Sequence, residues 1–142
     1  TPVVSVHRKT QEIILTYLVK TLDLDSNSPL LHSLITTLET YVFDAVDKED
    51  FSRMKLLVPH CEAFLKHDHL LDENGRNFIT GSLGCIYYYL RHNLKANQLL
   101  EHSLAELKQD PVNNHERIGQ ISIYLGNLYR SLGNYQRARD LL

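Results

Sequence analysis

The 142-residue sequence is sparing with the residues that break or staple chains: six glycines, four prolines and two cysteines. With 43% of residues hydrophobic, that scarcity fits a folded helical domain. Cys61 and Cys85 fall inside expected helices with no disulfide framework around them, so buried free thiols in a reducing compartment are expected. No run of Lys or Arg exceeds two residues and the formal charge is −2, which gives no surface for nucleic acid. No apolar stretch approaches the ~18 residues of a membrane span and no signal-peptide pattern is present. A soluble, cytoplasmic protein with no membrane partner is the expectation. No phosphate-binding loop exists either, because the Gly75 to Gly81 stretch has no Lys after it. This chain is therefore not expected to bind or hydrolyse ATP, and no cofactor is expected.

What the sequence does have is one stretch written twice. Leu83, Gly84, Tyr87, Ala96, Leu99 and Leu100 recur 42 residues later (125 − 83 = 42) as Leu125, Gly126, Tyr129, Ala138, Leu141 and Leu142. Ile79 and Leu90 recur as Ile121 and Leu132. A fixed period of this kind signals stacked units, none of which buries its apolar face alone. In the second copy, apolar residues at 121, 125, 128, 129 and 132 follow helical spacing until Gly133-Asn134. A second helix follows from Tyr135, with Ala138, Leu141 and Leu142 on one face. Gly126 and Ala138 are small where the two helices would touch, and Gly126→Leu should overpack that crossing. Tyr129 fills the space beside them.

Leu-Gly-x-x-Tyr, Gly-x-Tyr at the turn, and alternating small and large apolar residues resemble the tetratricopeptide (TPR) pattern. The resemblance implies an all-α fold of antiparallel helix pairs stacked into a superhelical arc, a solenoid. The first copy, from about Asn77 to Asp110, has Arg91 and Asn93 at its turn and departs from the pattern there, so a different, looser turn is expected. A bare unit has ~34 residues. The surplus falls in the polar stretch from Gln109 to Glu116, and such long repeats resemble those of kinesin light chains and of signalling ATPases.

Ahead of the repeats the spacing predicts three helices. The first covers about His7 to Leu22, with Ile13, Ile14, Tyr17, Leu18 and Leu22 as its stripe. The second starts at Pro29, capped by Asn27 or Ser28, and runs to Val46. The third spans about Lys48 to His67, and Pro59 should bend or split it after Leu57. A polar connector is expected from Asp68 to Gly75. The organisation expected is residues 1–23 as an amino-terminal helix, 24–76 as degenerate helical pairs and 77–142 as two TPR-like units. The last unit stops two turns into a helix, as a domain cut from a larger protein would, and its bare end could self-associate into a homo-oligomer.

The amino-terminal run Val4-Ser-Val-His-Arg-Lys-Thr-Gln-Glu-Ile-Ile14 resembles the segment that closes the winged-helix region of NB-ARC-type signalling ATPases, just before their TPR arrays. It matches at Val6, His7, Arg8 and Gln11. Leu57-Val-Pro-His60 with Ala63-Phe-Leu65 is similar to the helix before the first full repeat there. Residues 1–23 would then be the tail of an upstream winged-helix region, and the chain the sensor or regulatory region of a larger ATPase. The alternatives are a stand-alone peptide-binding adaptor and a self-association module.

Candidate chemistry is thin. Eight histidines invite a metal, and His67-Asp68-His69 with Cys61 is the densest group. Zinc needs three or four ligands converging at ~2.0–2.3 Å, and on a helix residues 67 and 69 point about 200° apart. No metal site is expected. Ser82, Cys85 and Ser103 lack a His–acid pair at recognisable spacing, and adjacent His60 and Cys61 diverge on a helix; an enzyme is not expected. The TPR resemblance instead implies a groove for a protein or peptide partner. It is lined by helix residues just after the motif glycine and one turn to either side. Carried over, these are Phe78, Ser82, Cys85, Tyr88 and Tyr89 from the first copy. From the second they are Gln120, Ile123, Tyr124, Asn127 and Arg130. One helix cannot bury all of Tyr87, Tyr88 and Tyr89 in one core. Tyr87 takes the packing position, which leaves Tyr88 and Tyr89 for the groove or for a neighbouring helix.

Overall fold

The computed structural model describes residues 8–142, and every regular element among them is helical. The helices are α1 (Arg8–Thr21), α2 (Pro29–Asp47), α3 (Phe51–Lys66), α4 (Glu73–Tyr89), α5 (Asn93–Leu107), α6 (Pro111–Ser131) and α7 (Tyr135–Leu141), with a 3₁₀ turn at Asp68–Leu70. The all-α class is as expected. Val4 to His7 of the run that carries the ATPase resemblance lie outside the described residues, as do the side chains of Arg8, Gln11 and Ile14.

Short polar side chains set the helix starts. Asp50 accepts from the Arg53 N–H at 3.0 Å and Asp72 from the Gly75 N–H at 2.7 Å, each satisfying a donor that a first turn leaves orphaned. Pro29 and Pro111 stand in first turns, where a missing N–H costs nothing. These caps correct two expected boundaries. The third helix begins at Phe51, and α4 begins at Glu73, so the division placed between 76 and 77 cuts a helix. Pro59 does not split α3. It and Lys55 are both exposed, so the carbonyl deprived of its N–H partner faces water.

The helix ends repeat more faithfully than the sequence does. In the turn after α6, Leu132 N–H bonds Leu128 O, Gly133 bonds Arg130 O and Asn134 bonds Tyr129 O, with Gly133 at φ 79°. Subtracting 42 gives the turn after α4, bond for bond: Leu90 to Ile86, Arg91 to Tyr88, His92 to Tyr87, with Arg91 at φ 63°. The looser turn expected there is therefore not found; Arg91 takes the left-handed position and the αL helix end is the same. Subtracting 42 again gives Lys48 to Asp44, Glu49 to Val46 and Asp50 to Ala45, with Glu49 at φ 50°. The unit α2–α3 is thus a third copy.

Its core letters are redistributed. Gly84, Tyr87 and Ala96, repeated as Gly126, Tyr129 and Ala138, correspond to Val42, Ala45 and Met54, all buried. Where the later copies have a small residue, a large one and a small one, this copy has larger, small and large. One continuous core runs through the three hairpins, from Val42 to Ala138. Helix α4 packs on α2, α3, α5 and α6, so α2, α4 and α6 adjoin in sequence. Arg53 of α3 pairs with Asp44 of α2 and ties that hairpin together. By contrast α1 makes at most marginal contact with the rest of the described chain, and Ile13 and Tyr17 of its stripe are exposed.

Candidate functional site

Helices α2, α4 and α6 enclose a groove of about 320 Å³. Its α4 wall is Phe78, Gly81, Ser82, Cys85 and Tyr89, residues three or four apart and so on one helical face. The α6 wall is Arg117, Gln120, Ile121 and Tyr124, and the α2 wall is Val42, Phe43, Val46 and Asp47.

Aromatic contacts hold these walls in place. Tyr124 meets Tyr88 at 5.4 Å and Tyr89 at 6.0 Å between ring centroids, both edge-on. Tyr89 meets Phe51 of α3 at 6.5 Å, and Phe43 meets Phe78 at 5.7 Å. Such tilted and edge-to-face arrangements suit the ring quadrupoles. The Arg117 guanidinium lies 5.2 Å from the centre of the Phe78 ring.

Burial dominates the electrostatics. It pushes the Cys85 thiol up to about 12, and the Cys61 thiol likewise to about 12, with the Glu62 carboxylate adding to the latter. Neither is a ready nucleophile. Burial first, and the Tyr89 hydroxyl second, raise the Tyr124 phenol. Burial lowers the Arg117 guanidinium, partly opposed by the charge of Glu39.

Of the residues expected to line a groove, Phe78, Ser82, Cys85, Tyr89, Gln120 and Tyr124 do so. Tyr88 joins through its ring contacts, and Tyr87 is buried in the packing position. Ile123 is 54% exposed and does not line it. Asn127 and Arg130 also lie outside it, and the Arg130 guanidinium donates to Asn127 Oδ1 at 3.0 Å. The whole α2 wall was missed. The signal lay in the period, because Cys85, Tyr88 and Tyr89 minus 42 give Phe43, Val46 and Asp47. Nothing in the sequence singled out Arg117.

The helix ends at Lys66, so His67 and His69 come together, with ring centroids 5.9 Å apart, rather than pointing away from each other. Among the described residues no three metal-ligating side chains cluster. No family model, curated protein or solved structure matches this chain.

Proposed function

We propose that this chain is a protein-interaction module of tetratricopeptide-like solenoid form, which takes a segment of a partner protein into the groove between α2, α4 and α6. The single observation that carries this is the groove itself: a concave, aromatic-walled volume formed by equivalent helices of three hairpins. Helical repeats of this kind present their binding surface on such a concave face. Aromatic side chains are the usual anchors of an interface, often worth ~2 kcal/mol or more each. The context we favour is the sensor region of a larger signalling ATPase, which rests on the sequence resemblance at residues 4–14 and 57–65. In that setting, segment binding shifts the balance between resting and active states.

The test places a photo-crosslinking residue at Gln120 in the full-length protein. A discrete adduct should form and should be lost when Ser82→Trp fills the groove. An adduct indifferent to Ser82→Trp would sink the reading. If the ATPase context is right, Ser82→Trp also alters the nucleotide state of the full-length protein; an unchanged state removes that context and leaves a stand-alone adaptor.

A further inference from the structure

We propose that the Arg117 end of the groove is a binding site for a small planar aromatic anion, a free carboxylate-bearing molecule that competes with the partner segment. The competition rests on the function proposed above; the binding site does not.

The argument begins with Arg117. Its guanidinium is half-buried over the Phe78 ring. Glu39 acts on it through space, yet no carboxylate among the described residues reaches ion-pair distance. Arg117 also lines a second, smaller cavity with Glu39 and Asp72, but its guanidinium is left without an ion pair to either. A carboxylate there would gain a charge-assisted, bidentate hydrogen-bond pair at a half-desolvated site.

Size and lining define the rest of the ligand. A volume of about 320 Å³ stands at the lower end of the ~300–1,000 Å³ typical of small-molecule pockets. It suits one fused-ring body rather than a cofactor. Phe43 and Tyr124 offer ring surface, and the Gln120 side chain offers an amide. The groove's own carboxylate, Asp47, stands with Tyr89 at the far end. Along α4, Tyr89 is eleven residues beyond Phe78, about 16 Å at 1.5 Å per residue, so Asp47 does not oppose an anion beside Arg117. The ligand so defined is anionic at one edge and aromatic in its body.

Indole-3-acetate and its neutral counterpart indole-3-acetamide serve as probes. The chain contains no tryptophan, so indole emission from either probe reports binding without background. The acetate should bind about tenfold more tightly than the acetamide, the contribution of one good charge-assisted contact. Arg117→Met, with helicity unchanged by circular dichroism, should erase that preference while leaving acetamide binding within about twofold. Arg117→Lys should keep only part of it, because the charge stays while the planar two-donor fork is lost. The acetate, and not the acetamide, should lower the Gln120 crosslink yield. Equal binding of the two probes, a preference that survives Arg117→Met, or no binding of either up to about 10 mM overturns the site. The two proposals fail separately: a groove that crosslinks its segment and ignores both indoles refutes only this site. One that binds the acetate and crosslinks nothing refutes only the segment.

Discussion

Arg91 and Gly133 occupy the same point of the same turn, with φ of 63° and 79°, one period of 42 residues apart (133 − 91 = 42). Only glycine adopts that region without steric cost, because a Cβ crowds the neighbouring carbonyl. Arg91, and Glu49 in the earlier copy, hold it because the closing bonds His92 N–H to Tyr87 O and Asp50 N–H to Ala45 O fix the helix end. Arg91→Gly and Glu49→Gly should each stabilise the fold by about 1 kcal/mol, and Gly133→Arg should destabilise it by a similar amount. Urea midpoints of the three variants decide it; stabilisation by Gly133→Arg would refute the strain.

A glycine and a leucine meet in both later hairpins, with different consequences. A Cβ on Gly84 would fall 2.8 Å from Leu100 Cγ and 3.3 Å from the Leu100 backbone nitrogen. Leu100 is fully buried and has nowhere to go. A Cβ on Gly126 would fall 2.6 Å from Leu142 Cγ, but Leu142 is 63% exposed and can turn aside. Overpacking therefore sets Gly84→Ala at about 2 kcal/mol destabilising. Gly126→Ala stays within about 1 kcal/mol of neutral, since the exposed Leu142 relieves the clash and the gain in helix propensity offsets what is left. The α2–α3 hairpin indicates the repair, with Val42 and Val58 at the positions of Gly84 and Leu100. Gly84→Val should be rescued in part by Leu100→Val, seen as a favourable coupling in a double-mutant cycle; additive losses would refute the contact.

Two of the three hairpins were legible as repeats because their letters match; the third was read only as degenerate helical pairs, because its shape repeats and its letters do not. Gly133-Asn134 marks a turn in any sequence, whereas Asp47-Lys-Glu-Asp50 does not, although its backbone closes the same bonds. Val42, Ala45 and Met54 fill the space that Gly84, Tyr87 and Ala96 fill, with the volume moved between neighbours. Cores tolerate that kind of exchange, and letter comparison does not register it. The α2 wall of the groove went unseen for the same reason. Asn127 and Arg130 lie on α6 beyond Tyr124, the last of its residues to line the groove, and Ile123 lies on another face of the helix. Pro59 misled because its cost depends on which side of the helix it faces.

Tyr87 and Tyr129 carry the same polar device. Each hydroxyl donates at 2.6 Å to a carboxylate on the preceding second helix, Glu62 and Glu101 respectively. Each ring lies under a cation one period apart, Lys95 at 4.9 Å and Arg137 at 5.1 Å. Removing one hydroxyl takes a short hydrogen bond from a partly exposed carboxylate, so Tyr87→Phe and Tyr129→Phe should each lose about 1 kcal/mol. Pairing Tyr129→Phe with Glu101→Gln should lose less than the sum. Strict additivity in denaturant titrations would argue against the bond.

Alkaline pH should loosen the fold. The Cys61 and Cys85 thiols sit at about 12 in the folded chain against 9.0 when unfolded, chiefly because burial disfavours the thiolate. Burial and their hydrogen-bond partners likewise raise Tyr124 and Tyr129 above 10.0. In every case the folded state holds its proton longer than the unfolded state. Above pH 9 the unfolded chain therefore binds fewer protons, and unfolding becomes easier as pH rises. Stability contributed by these groups is complete below pH 9, is lost to thiol ionisation from there, and is lost more steeply above pH 10 as the unfolded tyrosines ionise. Each fully engaged group adds a slope of up to about 1.4 kcal/mol per pH unit. Urea midpoints between pH 7 and about 11 should show a plateau and then this two-stage decline. The double variant Cys61→Ala, Cys85→Ala should start lower, having lost core volume, yet stay level from pH 9 to 10. A wild-type curve that is flat to pH 11, or a double variant with the wild-type slope at pH 9 to 10, would show that both thiols ionise as readily in the folded chain as in the unfolded one.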